Sequence, residues 1–375
     1  MIRVEPVRTK RERKEFVELP FRLYRGDPHW VPPLRRDVHE LIDPAKHPFH
    51  EHATVELFLA RRNGYVVGRI AAVHNDLHLE VHREPVGFFG LFETIDDISV
   101  SRALFDAASE WLRSRGLETM RGPASFSLNE EAGLLVDGFD GSPVVMMTYN
   151  PRWYAQHVED YGFSKAKDLL AYYLPNATPS ERLVKAADKL RERFGVTVRT
   201  LDKRRFWEEV ALVRRVYNEA WQDNWGHIPM TEAELMYMAK QLKPVVEPSL
   251  VTFAEVNGEL AGFGLALPDL NVALKRMKGS LFPFGWAKAL WYSRKIDTAR
   301  VVILGVLDKY RRSGVAELME LEMMKNAPKK GIVNAEFSWI LEDNPLMRSP
   351  LEKLGATVYR TYRMYDVRIA SGSNA

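Results

Sequence analysis

Residues 306–316 read Val-Leu-Asp-Lys-Tyr-Arg-Arg-Ser-Gly-Val-Ala. A run rich in β-branched residues precedes this stretch, and an amphipathic run follows it. The order predicts a strand, a basic turn and a helix, with Arg311-x-x-Gly314-x-Ala316 at the turn. Such a turn directs successive backbone N–H groups and the positive end of the helix dipole at one point. That geometry suits a pyrophosphate group, which Gly314 lets the backbone approach closely.

The composition is that of a globular protein with ordinary charge. The chain has 375 residues, of which 46% are hydrophobic and 27% are charged, so we expect two domains. A formal net charge of +3 is small for this length and gives no general affinity for nucleic acid. The absence of cysteine excludes disulfides, thiolate metal sites and a cysteine nucleophile.

Neither a targeting segment nor a membrane span is visible in the sequence. Residues 1–14 are charged and contain no apolar core of the kind that signal peptides carry. No apolar run approaches the length of a membrane-spanning helix. We therefore expect a cytoplasmic protein.

Two parts of the chain repeat one pattern at a nearly constant spacing. Residues 58–68 and 253–262 each predict a hairpin with a tight Asn-Gly turn. In both copies an Asn-Pro pair, a short helical segment ending in glycine, and a final strand follow further on. The matching positions are Gly64 and Gly258, Asn150 and Asn344, and Gly162 and Gly355. This pattern predicts a tandem duplication.

The pattern in each copy predicts the same order of elements: opening helices, a hairpin, a central strand, a helix, another strand, a short helix and final strands. In the first copy, the central strand is expected near residues 87–92 and the next helix near 101–115. The predicted organisation is a first domain over residues 1–175, a linker helix over 176–195 and a second domain over 196–375.

Only the second copy has the basic turn. After the central strand of the first copy, the chain reads Glu93-Thr-Ile-Asp96-Asp97-Ile-Ser99. Aspartates at a helix start interact favourably with the helix dipole, but they repel a pyrophosphate. We therefore expect the phosphate site in the second copy alone.

The turn resembles the acyl-CoA-binding turn of the GNAT acyltransferase superfamily, whose pattern is roughly Val-x-Pro-x-x-Arg/Gln-x-x-Gly-x-Gly/Ala. Asp308 stands where that family has proline. The order of elements is also that of the family, clearly over residues 196–367 and more weakly before them. The resemblance implies an α+β (α/β) fold of two tandem GNAT-like domains, each a mixed, mostly antiparallel sheet flanked by helices. It also implies acetyl-CoA or another acyl-CoA as the donor substrate.

The resemblance assigns candidate residues to the donor. The amides of residues 312–316 are expected to hold the pyrophosphate, while Arg311 adds charge or packs its stem beneath the loop. The sheet is expected to splay between the two central strands and so open a slot for the amides of the pantetheine arm. The backbone near residues 304–306 would pair with that arm and donate an N–H to the thioester oxygen. Asn344 would either contact that arm or cap the helix that begins at Pro345. The candidate donor-binding residues are Leu304, Val306, Arg311, Arg312, Ser313, Gly314, Val315, Ala316 and Asn344.

Acyl transfer to an amine needs a base and an acid. A lysine-like amine has a pKa of about 10.4 and must lose a proton, and the leaving thiolate must gain one. Many relatives supply the second proton from a tyrosine, but that position is Leu351 here. The nearby substitutes are Tyr359, Tyr362 and Tyr365, of which we take Tyr362 as the candidate acid. The candidate base is Glu336, inside an apolar strand, with an ion pair on the sheet as its alternative role.

The acceptor is expected to bind at the loop between the opening helices of the second copy. This loop is rich in aromatic and hydrogen-bonding residues, and loops on rigid elements often carry specificity. The alternative is a packed corner between two helices. Thr231 and Glu234 predict a capping box at the start of the next helix. The candidate acceptor-binding residues are Trp221, Asp223, Asn224 and Trp225.

Residues 271–296 form an insertion between strands that the family usually joins tightly. The insertion contains six basic residues, no acidic residue, and aromatic residues between them. It is expected to attract an acidic acceptor, an acyl-carrier protein or a lipid surface, or else to pack against the first copy.

Two groups of histidines have spacings that metal sites use. They are His47, His50 and His52, and His74, His78 and His82. Nothing in the sequence supplies a defined fourth ligand or the outer hydrogen bonds that orient such ligands, so no metal site is predicted.

The sequence predicts an acyl-CoA-dependent N-acyltransferase, more specifically an acetyltransferase, acting on a small-molecule or peptide amine. One alternative is a non-catalytic acyl-CoA-binding or scaffold protein on the same fold, which Leu351 favours. The other is a transferase that uses an aminoacyl-tRNA or a carrier protein as donor, which the basic insertion favours. No motif specifies the acceptor, the acyl chain length or the oligomeric state.

Overall fold

The structure, a computed structural model, describes residues 1–222 and 224–369. The chain divides into two units. The first unit consists of Met1–Leu170, Ala273–Leu290 and residues 360–369. The second unit consists of Ala171–Val272 and Trp291–Tyr359. The first unit is therefore assembled from segments that are distant in sequence.

Both copies contain helices and strands. The helices are α1 Lys10–Leu23, α2 Arg35–Leu41, α3 Asp76–His82, α4 Ile98–Arg113, α5 Trp153–Tyr161, α6 Glu181–Phe194, α7 Phe206–Ala220, α8 Glu232–Leu242, α9 Asn271–Met277, α10 Gly285–Ser293, α11 Val315–Asn326 and α12 Pro345–Lys353. The strands are β1 Ile2–Pro6, β2 Ala53–Arg62, β3 Tyr65–Asn75, β4 Val86–Thr94, β5 Thr119–Gly122, β6 Ala124–Ser125, β7 Glu131–Ala132, β8 Leu134–Asp137, β9 Ser164–Leu174, β10 Val196–Thr200, β11 Val251–Val256, β12 Glu259–Pro268, β13 Thr298–Val306, β14 Asn334–Leu341 and β15 Thr357–Arg368.

In the first unit, the strands lie in the order β1-β2-β3-β4-β5-β15, and β8 also pairs with β15. The β4–β5 pair is parallel, and the pairs β1–β2, β2–β3, β3–β4 and β5–β15 are antiparallel. The apolar face of α4 covers this sheet through Leu104, Phe105 and Leu112, all fully buried. Tyr365 of β15 belongs to the same core, so β15 contributes to the first unit.

In the second unit, the strands lie in the order β14-β13-β12-β11-β10. The β13–β14 pair is parallel, and the other pairs are antiparallel. The buried residues Val315, Leu318 and Met319 of α11 pack with Ala254 and Ala261 of the sheet. This arrangement places the start of α11 directly after the central strand β13.

The two predicted Asn-Gly hairpins are confirmed. Asn63 and Gly64 have φ angles of 50° and 82°, and Asn257 and Gly258 have φ angles of 51° and 82°. Two consecutive left-handed residues define a type I′ turn, which matches the twist of the strands it joins. Both units contain a mixed sheet with flanking helices, as predicted for the two domains.

The expected linker helix corresponds to α6, Glu181–Phe194. The Ser180 side chain accepts a hydrogen bond from the Leu183 N–H at its start. The bounds of the two predicted domains, 1–175 and 196–375, stay a prediction. Within the described ranges, none of the helices has the length and apolar content that crossing a bilayer takes.

Candidate functional site

The turn after β13 ends in a helix start that no side chain caps. Gly314 occupies the N-cap position of α11 with φ of 75°, in the left-handed region. The N–H groups in the first turn of any α-helix have no acceptor within the helix. At α11, the amides of Val315 and Ala316 are in this position, and no cap side chain accepts from them. They are therefore available to an anion, which the helix dipole also attracts.

Two features favour glycine at position 314. A left-handed φ costs an L-residue about 1–2 kcal/mol, and glycine avoids that cost. In addition, a Cβ at this position would lie 2.8 Å from Cδ1 of Leu190 on α6. Helix α6 thus packs against the turn from within the same unit, and this contact fixes where the amides point.

The side chains of the turn carry mixed charge. The Arg311 guanidinium donates to the Ala220 carbonyl at 3.1 Å and lies 2.6 Å from the Asp308 carboxylate. Arg312 is exposed, and the Ser313 hydroxyl donates to the Tyr310 carbonyl at 2.6 Å. Asp308, which replaces the family's proline, therefore faces a cation and adds little net negative charge to the turn.

The predicted opening between the central strands is confirmed. The parallel pairing of β13 with β14 ends at Val301 and Phe337. On its other edge, β13 stays paired with β12 as far as Val306. Beyond Val301, the two strands separate, and the backbone of Leu304 and Val306 has one edge that faces the gap. An extended chain with amide groups, such as a pantetheine arm, can add to a strand edge of this kind.

The corresponding helix start in the first unit is closed by a carboxylate. The Asp97 side chain is the N-cap of α4 and accepts from the Ser99 N–H at 2.9 Å. It also accepts from the Arg62 guanidinium at 2.6 Å. Hydrogen bonds from Ser99 and Arg62 lower the pKa of Asp97 to about 2. The positive end of the α4 dipole could attract a phosphate, but it already faces the Asp97 carboxylate.

Glu336 forms part of a buried polar cluster in the second unit. Its carboxylate accepts from the Ser338 hydroxyl at 3.0 Å and from the Tyr359 hydroxyl at 3.4 Å, and it lies 3.7 Å from Arg300. Arg300 in turn donates to the Ser338 hydroxyl at 3.0 Å. Glu336 has no exposed surface. Glu336 thus forms an ion pair with Arg300, which was its alternative predicted role. This pair is buried and does not lie on a solvent face of the sheet.

The structure separates the three candidate tyrosines. Tyr362 and Tyr365 are buried in the first unit, and the Tyr365 hydroxyl donates to Glu159 at 2.9 Å. Tyr359 belongs to the second unit, is partly exposed and contacts Glu336. Leu351 is 1% exposed and packs inside the second unit. The role of Tyr362 as the acid stays a prediction. Of the three candidate tyrosines, Tyr359 is the one that lies in the same unit as Gly314.

Trp221 lies against the central strand. Its ring would be 2.3 Å from a Cβ at Gly305 of β13, and it stacks on Tyr217 with ring centroids 5.0 Å apart. Asn224 donates its N–H to the Trp221 carbonyl at 2.9 Å, and Trp225 is half-buried nearby in sequence. Asp223 lies outside the described residues. Acceptor binding by this loop stays a prediction, as does its alternative role as a packed corner.

Asn344 is the N-cap of α12. Its side-chain oxygen accepts from the Met347 N–H at 3.2 Å. Of the two roles predicted for Asn344, the structure shows the cap of α12. Contact with a pantetheine arm stays a prediction.

Sequence reasoning missed an apolar pocket beneath α7 and α8. The pocket has a cavity volume of about 70 Å³, and Glu209 is the one charged residue of the lining. The Glu209 carboxylate accepts from Arg199 at 2.9 Å, so its charge is compensated. The other lining residues are Leu201, Phe206, Val210, Val213, Tyr217, Met230, Leu235, Met238, Ala239, Leu242, Val246, Val251, Phe253, Phe263, Leu265 and Ile303.

The pocket lies on the face of β13 that also carries Trp221. Ile303 lines its floor, and Gly305, two residues further on the same face of the strand, contacts Trp221. Tyr217 joins the two features, because it lines the pocket and stacks on Trp221. The signal in the sequence is the spacing of apolar residues on α7 and α8, which reads as ordinary core packing.

No protein-family model matches the sequence. The chain is 39% identical over 368 residues to protein YghO of Escherichia coli (strain K12), which covers 96% of this chain and 94% of that protein. It is 40% identical over 370 residues to the bacterial ceramide synthase of Caulobacter vibrioides (strain NA1000 / CB15N), which covers 97% of this chain and 96% of that protein.

Solved structures with the same fold include tandem proteins. A tandem GNAT protein from the clavulanic acid biosynthesis pathway superposes with a TM-score of 0.59 and 14% identity over 100% of both chains. A GCN5-related N-acetyltransferase from Sphaerobacter thermophilus superposes with a TM-score of 0.53 and 13% identity, over 100% of this chain and 98% of that chain. Identities this low show the fold alone.

The fold and the relatives together define an acyltransferase with the tandem GNAT architecture. Within that class, the chain belongs to the family that contains YghO and the bacterial ceramide synthase. The predicted family resemblance, fold class and enzyme class are confirmed.

Gly314→Asp tests the turn as the donor site. The added carboxylate would repel a pyrophosphate, and its Cβ would displace Leu190. We expect an acyl-CoA at a hundred times its Kd to stabilise the unaltered protein by about 2.7 kcal/mol, and to leave the variant unchanged. Thermal unfolding with and without the acyl-CoA measures this difference.

Gly331→Asp is the matched control for this prediction. Gly331 has φ of 79° in the same unit, and a Cβ there would meet nothing within 4 Å. This variant has the same conformational strain and the same charge, so it should keep the full stabilisation. A Gly314→Asp protein that is still stabilised by the acyl-CoA would contradict the assignment of the turn.

Proposed function

We propose that the protein transfers a long acyl chain from acyl-CoA to the amino group of a long-chain amino alcohol and forms a ceramide-type amide. The observation that carries this proposal is the apolar pocket beside β13. The relative that is 40% identical across nearly all of both chains is named a bacterial ceramide synthase, which supports a lipid substrate.

The donor half of the proposal rests on the turn and the strand opening. The amides of Val315 and Ala316 would hold the pyrophosphate, with Arg312 as an exposed cation beside it. The free edge of β13 at Leu304 and Val306 would pair with the pantetheine amides. The thioester would then lie next to this strand.

The lipid half rests on the composition of the pocket. A small polar amine gains nothing from a pocket lined almost entirely by apolar side chains, whereas each buried methylene of a hydrocarbon chain contributes about 0.8 kcal/mol. We therefore assign this apolar lining to a hydrocarbon chain of the donor or the acceptor. Its side chains would have to move apart to admit the chain, because a cavity of about 70 Å³ is smaller than a long chain. This is why we propose a long-chain donor in place of the acetyl-CoA that the family resemblance favours.

The reaction moves two protons. The neutral amine attacks the thioester carbonyl carbon, a C–N bond forms, and the C–S bond breaks. The amine nitrogen loses a proton to a base, and the CoA thiolate takes up a proton. A backbone N–H on the free edge of β13 would stabilise the negative oxygen of the tetrahedral intermediate.

We assign proton transfer to Tyr359 together with Glu336. The partly exposed Tyr359 hydroxyl lies 3.4 Å from the buried Glu336 carboxylate. A hydroxyl in this position can accept a proton from the solvent side while it donates to the carboxylate. Arg300 balances the charge of Glu336 inside the unit.

A chain-length series tests the proposed substrates. The purified protein is incubated with acyl-CoAs and amino alcohols of increasing chain length, and both the released thiol and the amide are measured. Because the chain contains no cysteine, the thiol signal comes from CoA alone. We expect turnover with long chains on both substrates. Turnover restricted to acetyl-CoA and a short polar amine would contradict the proposal.

Ala239→Phe tests the pocket. Ala239 is buried in the lining, so a phenyl ring there fills space that a chain would occupy. We expect kcat/KM for long-chain substrates to fall at least about tenfold. If the acyl chain occupies the pocket, the variant should keep its kcat/KM for short acyl-CoAs. If the hydrocarbon chain of the amine occupies it, the variant should keep its kcat/KM for short amines. Ala211→Phe, which adds the same ring on the exposed side of α7, should leave all rates unchanged.

Tyr359→Phe tests the proton-transfer group. Loss of a general acid or base lowers kcat by about 100-fold or more, and the pH dependence of the remaining rate should change with it. Tyr365→Phe removes a hydroxyl that is bonded to Glu159 in the first unit and should keep the rate. If Tyr362→Phe lowers kcat and Tyr359→Phe stays active, the proton-transfer group is Tyr362 and not Tyr359.

A further inference from the structure

The insertion of residues 271–296 has a charge pattern that the proposed reaction does not use. It contains no acidic residue, and Asp269 and Asp297 bound it on either side. Its basic residues are Lys275, Arg276, Lys278, Lys288, Arg294 and Lys295. The segment is therefore a uniformly positive part of a chain whose overall charge is only +3.

Helix α9 anchors the insertion to the first unit. Ala273 and Met277 are buried, and the Lys275 ammonium donates to the Ser142 hydroxyl at 2.7 Å. The Arg35 guanidinium donates to the Lys278 carbonyl at 3.1 Å. A Cβ at Gly279 would lie 2.4 Å from the Phe21 ring, so the chain passes close to α1. The expected packing against the first copy is thus present at α9.

Helix α10 and the loop before it are exposed instead. Gly285 is the buried residue of α10. Residues 286, 287, 288, 290 and 291 are all exposed, and they occupy successive directions around the helix. The exposed fractions of the large apolar side chains are 78% for Phe282, 70% for Phe284, 56% for Trp286, 60% for Leu290 and 62% for Trp291. Apolar clusters of this kind mark interaction surfaces in soluble proteins.

We propose that Phe282, Phe284 and α10 form a docking surface for an anionic lipid bilayer. Tryptophan and phenylalanine side chains insert at the boundary between headgroups and acyl chains, and nearby cations bind anionic lipids. Lys288, Arg294 and Lys295 lie on the same segment as the exposed rings and supply that charge. The anchored α9 holds the surface in place before it meets the membrane.

A bilayer fits this surface better than an acidic carrier protein does. A folded protein partner covers one face of a helix, whereas α10 exposes apolar side chains in several directions. A deformable medium can surround such a helix on all of those sides. The cations alone would serve either partner, but the five large apolar side chains are useful only where they leave water.

Vesicle sedimentation of the full-length protein tests this surface. We expect binding to vesicles of phosphatidylcholine with phosphatidylglycerol, weak binding to phosphatidylcholine alone, and weaker binding as salt increases. Replacing Trp286 and Trp291 by serine should weaken binding to the anionic vesicles at least tenfold. Lys288→Glu reverses one charge and should weaken it about 25-fold, since each charge contributes about fivefold.

Matched controls separate this effect from general changes in charge and folding. Trp207→Ser removes a partly exposed tryptophan from α7, and Lys14→Glu reverses an exposed charge on α1. Both should bind anionic vesicles like the unaltered protein. Equal losses in these controls, no binding by the unaltered protein, or capture of an acidic carrier protein without vesicle binding would each overturn the proposal. The assay contains no substrate, so its result is independent of the proposed reaction.

Discussion

The donor site depends on the first turn of α11. The backbone N–H groups there have no acceptor within the helix, and no capping side chain accepts from them. Such a turn is costly unless something else accepts these hydrogen bonds, because unpaired backbone donors lose the interaction they have with water. Gly314 adopts the left-handed conformation that brings β13 into α11, and Leu190 packs closely against it. The strand, the turn and α6 therefore fix one direction for the amides, and an anion is the partner that fits them.

The duplicated helix start in the first unit shows how one copy can lose such a site without losing its fold. Asp97 accepts from the Ser99 N–H and pairs with Arg62, so a covalently attached carboxylate occupies the place of a bound anion. This cap stabilises α4 by about 1 kcal/mol at neutral pH. One copy has a stable closed helix start and the other an open one, which is consistent with a division between structural and donor-binding roles.

The sequence was sufficient wherever local rules decide the conformation. Asn-Gly turns need left-handed φ angles, and Thr231 with Glu234 forms the capping box that their spacing predicts. The opening between β13 and β14 followed from the family resemblance. The buried contact of Glu336 with Arg300 was harder to foresee, because it depends on strand register. The apolar pocket and the inclusion of Tyr365 in the first unit depend on contacts between distant segments, which local patterns do not encode.

A crystal structure of the protein with bound acyl-CoA would show whether the start of α11 holds the donor. We expect pyrophosphate density within hydrogen-bond distance of the Val315 and Ala316 amides, with the pantetheine arm along the free edge of β13. In the same structure, Asp97 should still cap the start of α4. Pyrophosphate density at the start of α4, or away from both helix starts, would contradict the assignment of the donor site to α11.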